Sequence, residues 1–141
     1  MGRIIGIDLG LKRTGLAVTD PNQMIATPLM VINTGKLLDY LKDYTAKEDV
    51  EGFVLGDPVK PDGTPTHTTE AVRSLDKKLR KIFPDKKVVL IDERFTTSLA
   101  MDAMISGGTS KKYRRQKGNL DKISATIILQ SYLEKKSRGK K

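Results

Sequence analysis

The 141-residue chain contains no cysteine, which removes disulfides, thiolate metal sites and a cysteine nucleophile, and gives no sign of an oxidising compartment. Histidine is almost absent too. His67 is the only one, and within Pro65-Thr66-His67-Thr68 it reads as a loop residue rather than a base. Imidazole metal cages and Ser-His or Cys-His schemes are therefore poorly supplied, and carboxylates remain as the catalytic groups. No apolar run approaches the roughly 20 residues of a membrane span. The N-terminus enters a strand pattern without the basic segment and long apolar stretch of a signal peptide. The expectation is a cytoplasmic protein with no membrane partner.

Acid is scarce in one region only. Residues 111–141 carry 11 Lys+Arg against Asp121 and Glu134, whereas residues 1–110 carry 15 of each sign. The whole net charge of +9 thus arises near the C-terminus, which is the electrostatic footprint of a polyanion binder. A solvated helix face followed by a frayed tail is the alternative reading of the same residues. Length and a hydrophobic content of 38% fit one small α/β domain. We expect that domain over residues 1–136 with a basic tail at 137–141, and the chain has no internal repeat.

Among the residues that are present, Asp8 is the most informative. It stands in Arg3-Ile4-Ile5-Gly6-Ile7-Asp8-Leu9-Gly10, an apolar strand pattern in which aspartate is disfavoured unless it is paired or bound. Alternation puts Ile5, Ile7 and Leu9 on one face and Ile4, Gly6, Asp8 and Gly10 on the other. Glycines on the Asp8 face leave room for a metal ion, a phosphate or another backbone.

Three apolar runs, Arg3 to Leu9, Thr14 to Thr19 and Met24 to Ile32, are joined by short polar connections and predict an antiparallel meander. Pro28 inside the third run predicts a sheet edge. Helices are expected at Lys36 to Lys47, Thr68 to Phe83, Ser98 to Ile105 and Asn119 to Lys136, with strands at Phe53 to Leu55 and Val88 to Ile91. A polar loop spans Asp57 to Thr66. The right-handed crossover rule then gives a five-stranded mixed sheet of order 3-2-1-4-5, the first three strands antiparallel, flanked by helices. That is a ribonuclease H-like arrangement.

Two more acidic positions join Asp8. Asp92-Glu93-Arg94 follows the fifth strand, at the end of an open α/β sheet where ligands collect. Asp121 heads a helical stripe with Ala125, Ile128 and Tyr132, an otherwise apolar face that should look toward the sheet. If the three carboxylates converge they need a counterion. Magnesium, or manganese, suits oxygen-only ligation, and two such ions about 3.5 to 4 Å apart would serve an in-line phosphodiester displacement. Each acid also has a plainer reading: Asp121 as a first-turn acid, Glu93 paired with Arg94, Asp8 capping a turn at Lys12 and Arg13. Asp92 competes with Glu93, because neighbours on a strand point oppositely.

The ordered series Gly6-Ile7-Asp8-Leu9-Gly10-Leu11-Lys12-Arg13-Thr14-Gly15, Gly56-Asp57-Pro58 with Asp62-Gly63, Asp92-Glu93-Arg94-Phe95-Thr96-Thr97 and Asp121-Lys122-Ile123-Ser124-Ala125 resembles the YqgF family. That family comprises bacterial ribonuclease H-like proteins associated with Holliday junction resolution and with maturation of the 5′ end of pre-16S ribosomal RNA. The resemblance implies Asp8, Glu93 and Asp121 as catalytic, metal-holding carboxylates, and Lys12, Arg13 and Arg94 as phosphate contacts. It differs at Asp57, where the family usually has an apolar residue, and at Ser124, where alanine is common. Asp57 reads either as an added ligand or as a loop cap.

Lys111, Lys112, Tyr113, Arg114 and Arg115 lie between glycines ahead of Asp121, an arrangement suited to gripping a nucleic-acid strand, with Tyr113 stacking; a surface loop without a role is the alternative. The partners expected are pre-ribosomal RNA, branched DNA or ribosomal precursor particles, bound by a monomer or weak homodimer. Two other classes fit parts of the pattern. Sugar kinase and Hsp70-like ATPases also use Gly-x-Asp-x-Gly, but enclose their nucleotide between two such domains, and a non-catalytic nucleic-acid- or ribosome-binding module would share the fold.

Overall fold

Alternation of apolar side chains along β1 (Arg3–Asp8) divides the molecule into two layers. A computed structural model describes residues 2–57, 68–92 and 117–138. β1 lies at the centre of a five-stranded sheet, antiparallel to β2 (Arg13–Thr19) and parallel to β4 (Val50–Asp57). β3 (Ala26–Asn33) closes the edge beside β2, and β5 (Lys87–Asp92) closes the other edge beside β4, giving the order β3-β2-β1-β4-β5. This is the expected topology. Pro28 sits in the edge strand opposite Ala17, at a register shift in the β2–β3 ladder, where its missing N–H costs least.

Ile5 and Ile7 join Leu16, Val18, Phe53 and Leu55 beneath α1 (Leu37–Lys47) and α2 (Thr69–Ile82), whose Leu37, Leu41, Val72, Leu75 and Leu79 fill that layer. Ile4, Ala17, Val54 and Ile91 face the other way, against Ala125, Ile128, Leu129, Tyr132 and Leu133 of α3 (Lys117–Arg138). α3 runs two residues beyond the expected helix at each end, and the expected helix at 98–105 lies outside the described residues. β4 is buried almost throughout, as expected of a strand covered on both faces.

Two boundaries differ from the sequence pattern for identifiable reasons. A short 3-10 turn, Thr34–Lys36, precedes α1, with the Asn33 side chain accepting from the Gly35 amide; Thr34 and Gly35 are weak helix formers, so the regular helix begins only at Leu37. β3 begins at Ala26 rather than Met24, because Asp20 draws the preceding amides into a turn. Its carboxylate accepts from the backbone N–H of Asn22 at 3.1 Å and of Met24 and Ile25 at 2.8 Å each. The Ile25 and Met24 bonds hold the Asp20 carboxyl below its usual range. A depressed folded-state pKa contributes stability that is present above the unfolded value and lost as pH falls through the folded one. The protection of the Met24 and Ile25 amides, measured against intrinsic exchange at the same pH, should therefore fall on acidification below about pH 4, and an Asp20→Asn variant should show that lower protection already at neutral pH.

At the amino edge of the sheet, Gln23 adopts a left-handed backbone with φ 56°. Its side-chain amide donates to the Gly2 carbonyl at 2.7 Å and to the Glu51 carboxylate, while its oxygen accepts from Lys136 Nζ at 2.5 Å. This bond to Gln23, with Lys87 and Lys136 nearby, holds the Glu51 carboxyl below its usual range. The C-terminal part of α3 is thereby pinned beside the start of β1.

Candidate active site at the carboxyl edge of the sheet

The register of the parallel strands brings their carboxyl ends level. Ile7 pairs with Leu55 and Asp57 with Asp92, so β1, β4 and β5 end in Asp8, Asp57 and Asp92 along one edge. This edge is where open α/β sheets place ligands.

The face on which each acid lies separates them. Ile5 and Ile7 belong to the α1–α2 layer, and Gly6 to the other: a Cβ at position 6 would stand 2.8 Å from Leu129 Cβ and 2.9 Å from the Ala125 carbonyl oxygen. Of the three approaches that glycine allows, the one realised at Gly6 is that of another backbone. Asp8, half-buried, continues the α3 side of β1. Asp57 continues the opposite face after Phe53 and Leu55, and there it pairs with Arg73 of α2 at 3.1 Å. Asp57 is thus engaged by α2, across the sheet from Asp8. Arg73 lies 16 positions away, and nothing in the sequence marked it as the partner.

α3 runs antiparallel to β1, because Lys136 stands near Gly2 while Ala125 and Leu129 cross Gly6. Two residues along a strand advance about 6.6 Å, and four along a helix about 6 Å. The step from Gly6 to Asp8 is therefore matched by the step from Ala125 back to Asp121, whose backbone lies near the start of α3. Ala125, Ile128 and Tyr132 are buried against the sheet, as the stripe headed by Asp121 predicts.

Lys12 and Arg13 are exposed on the turn that returns the chain from β1 to β2. The turn is tight: a Cβ on Gly10 would meet the Arg13 carbonyl oxygen at 2.3 Å. Thr34 holds it from the side, donating its hydroxyl to the Gly10 carbonyl at 2.8 Å and its amide to the Lys12 carbonyl at 3.0 Å, and sharing a 2.8 Å hydrogen bond with the Thr14 hydroxyl. The two cations are therefore carried on a braced turn at the Asp8 edge, and Thr34 is a supporting residue that no motif revealed.

Glu93, Arg94, Lys111, Lys112, Tyr113, Arg114 and Arg115 lie outside the described residues, as does His67. Among the described residues no three His, Cys, Asp or Glu side chains stand close enough to hold a metal ion, and no helix is long and apolar enough to cross a membrane.

Known proteins share this architecture and sequence. The RuvX family profile, described as Holliday junction resolvase, matches residues 2–135. A Flavobacterium johnsoniae protein named "Putative pre-16S rRNA nuclease" is 48% identical over 136 residues, covering 96% of this chain and 99% of its own length. A protein of the same name from Amoebophilus asiaticus is 47% identical over 138 residues, covering 98% of each. In fold the chain is similar to T. thermophilus RuvC in complex with Holliday junction substrate, with a TM-score of 0.59 at 14% identity and 96% of both chains covered. It is also similar to the fowlpox virus Holliday junction resolvase, with a TM-score of 0.55 at 15% identity, covering 94% of this chain and 99% of the viral one. The sheet order, the layered helices and the end-to-end relatives lead to one assignment: the chain belongs to the RuvX family and has a ribonuclease H-like fold.

Proposed function

We propose that this protein is a divalent-metal-dependent endonuclease that cleaves phosphodiester bonds in structured nucleic acid, its reaction being 5′-end processing of pre-16S ribosomal RNA. The observation that carries the reading is the position of Asp8: the end of the central strand, on the α3 side, level with the helical turn that holds Asp121. Parity along β5 supports Glu93 over Asp92 as the third acid, since Val89 and Ile91 belong to the α3 layer and Val88 to the other.

The donor set Asp8, Glu93 and Asp121 is all carboxylate, the chemistry that fits Mg2+ or Mn2+. Bound there, the metal would supply Lewis acidity at the phosphate and a water more readily deprotonated. The carboxylates would hold the ion, and Lys12, Arg13 and Arg94 draw the phosphate in and offset its charge. Lys111, Lys112, Arg114 and Arg115 hold the flanking backbone while Tyr113 stacks on a base.

Cleavage of branched DNA is the second reading, favoured by the family description and by the fold shared with junction resolvases. Purified protein given magnesium should cut precursor 16S RNA at its 5′ flank and leave a four-way DNA junction intact; chelation should stop the reaction and added Mg2+ restore it. Cutting of the junction alone overturns the RNA assignment, and cleavage that persists in chelator overturns the metal requirement.

A further inference from the structure

We propose that the exposed face of α2 is a second phosphate-binding track, which holds the nucleic-acid backbone beyond the cleavage site on the side of the sheet opposite α3. The inference rests on the nuclease reading above and extends its substrate to one long enough to cross the carboxyl edge.

α2 starts at that edge, where Arg73 meets Asp57 at the end of β4, and runs back toward the start of β5, where Arg80 donates to the Val88 carbonyl at 2.9 Å. Leu75 and Leu79 bury one face, while Arg73, Lys77, Lys78, Arg80 and Lys81 are exposed on the others. Against Glu70 and Asp76 this leaves a charge of +3 on one helix, within a stretch of 110 residues whose charges sum to zero. Asp76 is taken by Arg80 at 2.7 Å and Asp57 by Arg73 at 3.1 Å. Lys77, Lys78 and Lys81 have no carboxylate partner within ion-pair distance among the described residues.

The helix dipole favours cations in the last turn, which accounts for Arg80 and Lys81 but not for Lys77 and Lys78 further in. Lys77 and Lys81 repel each other at i,i+4, as do Lys78 and Lys81 at i,i+3, so the cluster opposes local stability. A polyanion reverses the sign of that effect. From Arg73 to Lys81 the track rises about 12 Å, continuous with the edge where Asp8 stands. α1, in the same layer, balances Lys42 and Lys47 against Asp39 and Asp43 and serves as an internal control.

The test measures binding with cleavage blocked by chelator, so that an inactive protein still returns an answer. A labelled RNA duplex longer than the molecule is titrated against the wild type, a Lys77→Gln/Lys78→Gln/Lys81→Gln variant and a Lys42→Gln/Lys47→Gln control, at several salt concentrations. Loss of three phosphate contacts should lower the slope of log affinity against log salt by about 2 to 3, with the control unchanged and the triple variant melting no lower than the wild type. An unchanged slope in the triple variant, or an equal fall in the control, overturns the track. Failure of the nuclease reading would show separately, as absence of cleavage with magnesium present.

Discussion

Replacing Asp8 with asparagine should lower the rate of phosphodiester cleavage by at least about a thousandfold, equivalent to about 4 kcal/mol of transition-state stabilisation, while substrate affinity stays equal or rises. Asparagine matches the size of aspartate and removes only the charge. Because Asp8 is half-buried at the end of β1, that change leaves the core layers of both faces intact. Cation binding by the proposed acids depends on anionic oxygen, so the chemistry is lost. The phosphate backbone meets one negative charge fewer, so binding does not suffer. Single-turnover cleavage and equilibrium binding in chelator, run on the same preparation, separate the two effects. Cleavage within tenfold of the wild type would remove Asp8 from the mechanism, and a parallel loss of binding would make it a structural residue instead.

Replacing Gly6 with valine should destabilise the protein by about 3 kcal/mol, a fall in Tm of roughly 10 °C for a domain of this size. The first added carbon would stand 2.8 Å from Leu129 Cβ and 2.9 Å from the Ala125 carbonyl oxygen. Neither is the end of a flexible side chain, so relief requires that α3 move off the sheet. Gly6→Ala separates the contributions: its clash is offset by about 0.4–1 kcal/mol of lost chain entropy in the unfolded state, for a net cost of about 1–2 kcal/mol. Both variants should also lose cleavage activity at temperatures where they remain folded, because α3 carries the proposed catalytic acid Asp121. Full activity in a folded Gly6→Val protein would detach α3 from the site.

Much of this architecture could be read from local signals because those signals agreed. Pro28 demanded an edge, the short polar connections demanded a meander, and the crossover rule placed the two parallel strands on the free side of β1, which yields the observed order. Alternation through Gly6 and Asp8 assigned both to one face, and the stripe through Ala125, Ile128 and Tyr132 found the buried side of α3. What escaped depends on contacts between residues remote in sequence. Thr34 braces the Gly10–Arg13 turn only because β3 ends beside it, and Gln23 ties Gly2, Glu51 and Lys136 only once the sheet and α3 have assembled. Asp57 carried two readings until Arg73 appeared across the loop. Such partnerships have no period and no spacing, so no inspection of residues one after another reveals them.

The place of α3 in the chain also sets a timetable. Among the described residues all five strands precede it, and its side chains cover Ile4, Ala17, Val54 and Ile91. During synthesis the meander and both parallel crossovers can therefore form before the α3 side chains reach that face, and Asp8 is in place before the proposed acid Asp121 has been made. Only when residues up to Lys136 have emerged can the bond to Gln23 fasten the helix. A newborn chain of this kind holds its central strand ready early, and the docking of α3 that the proposed site requires is one of the last acts of folding.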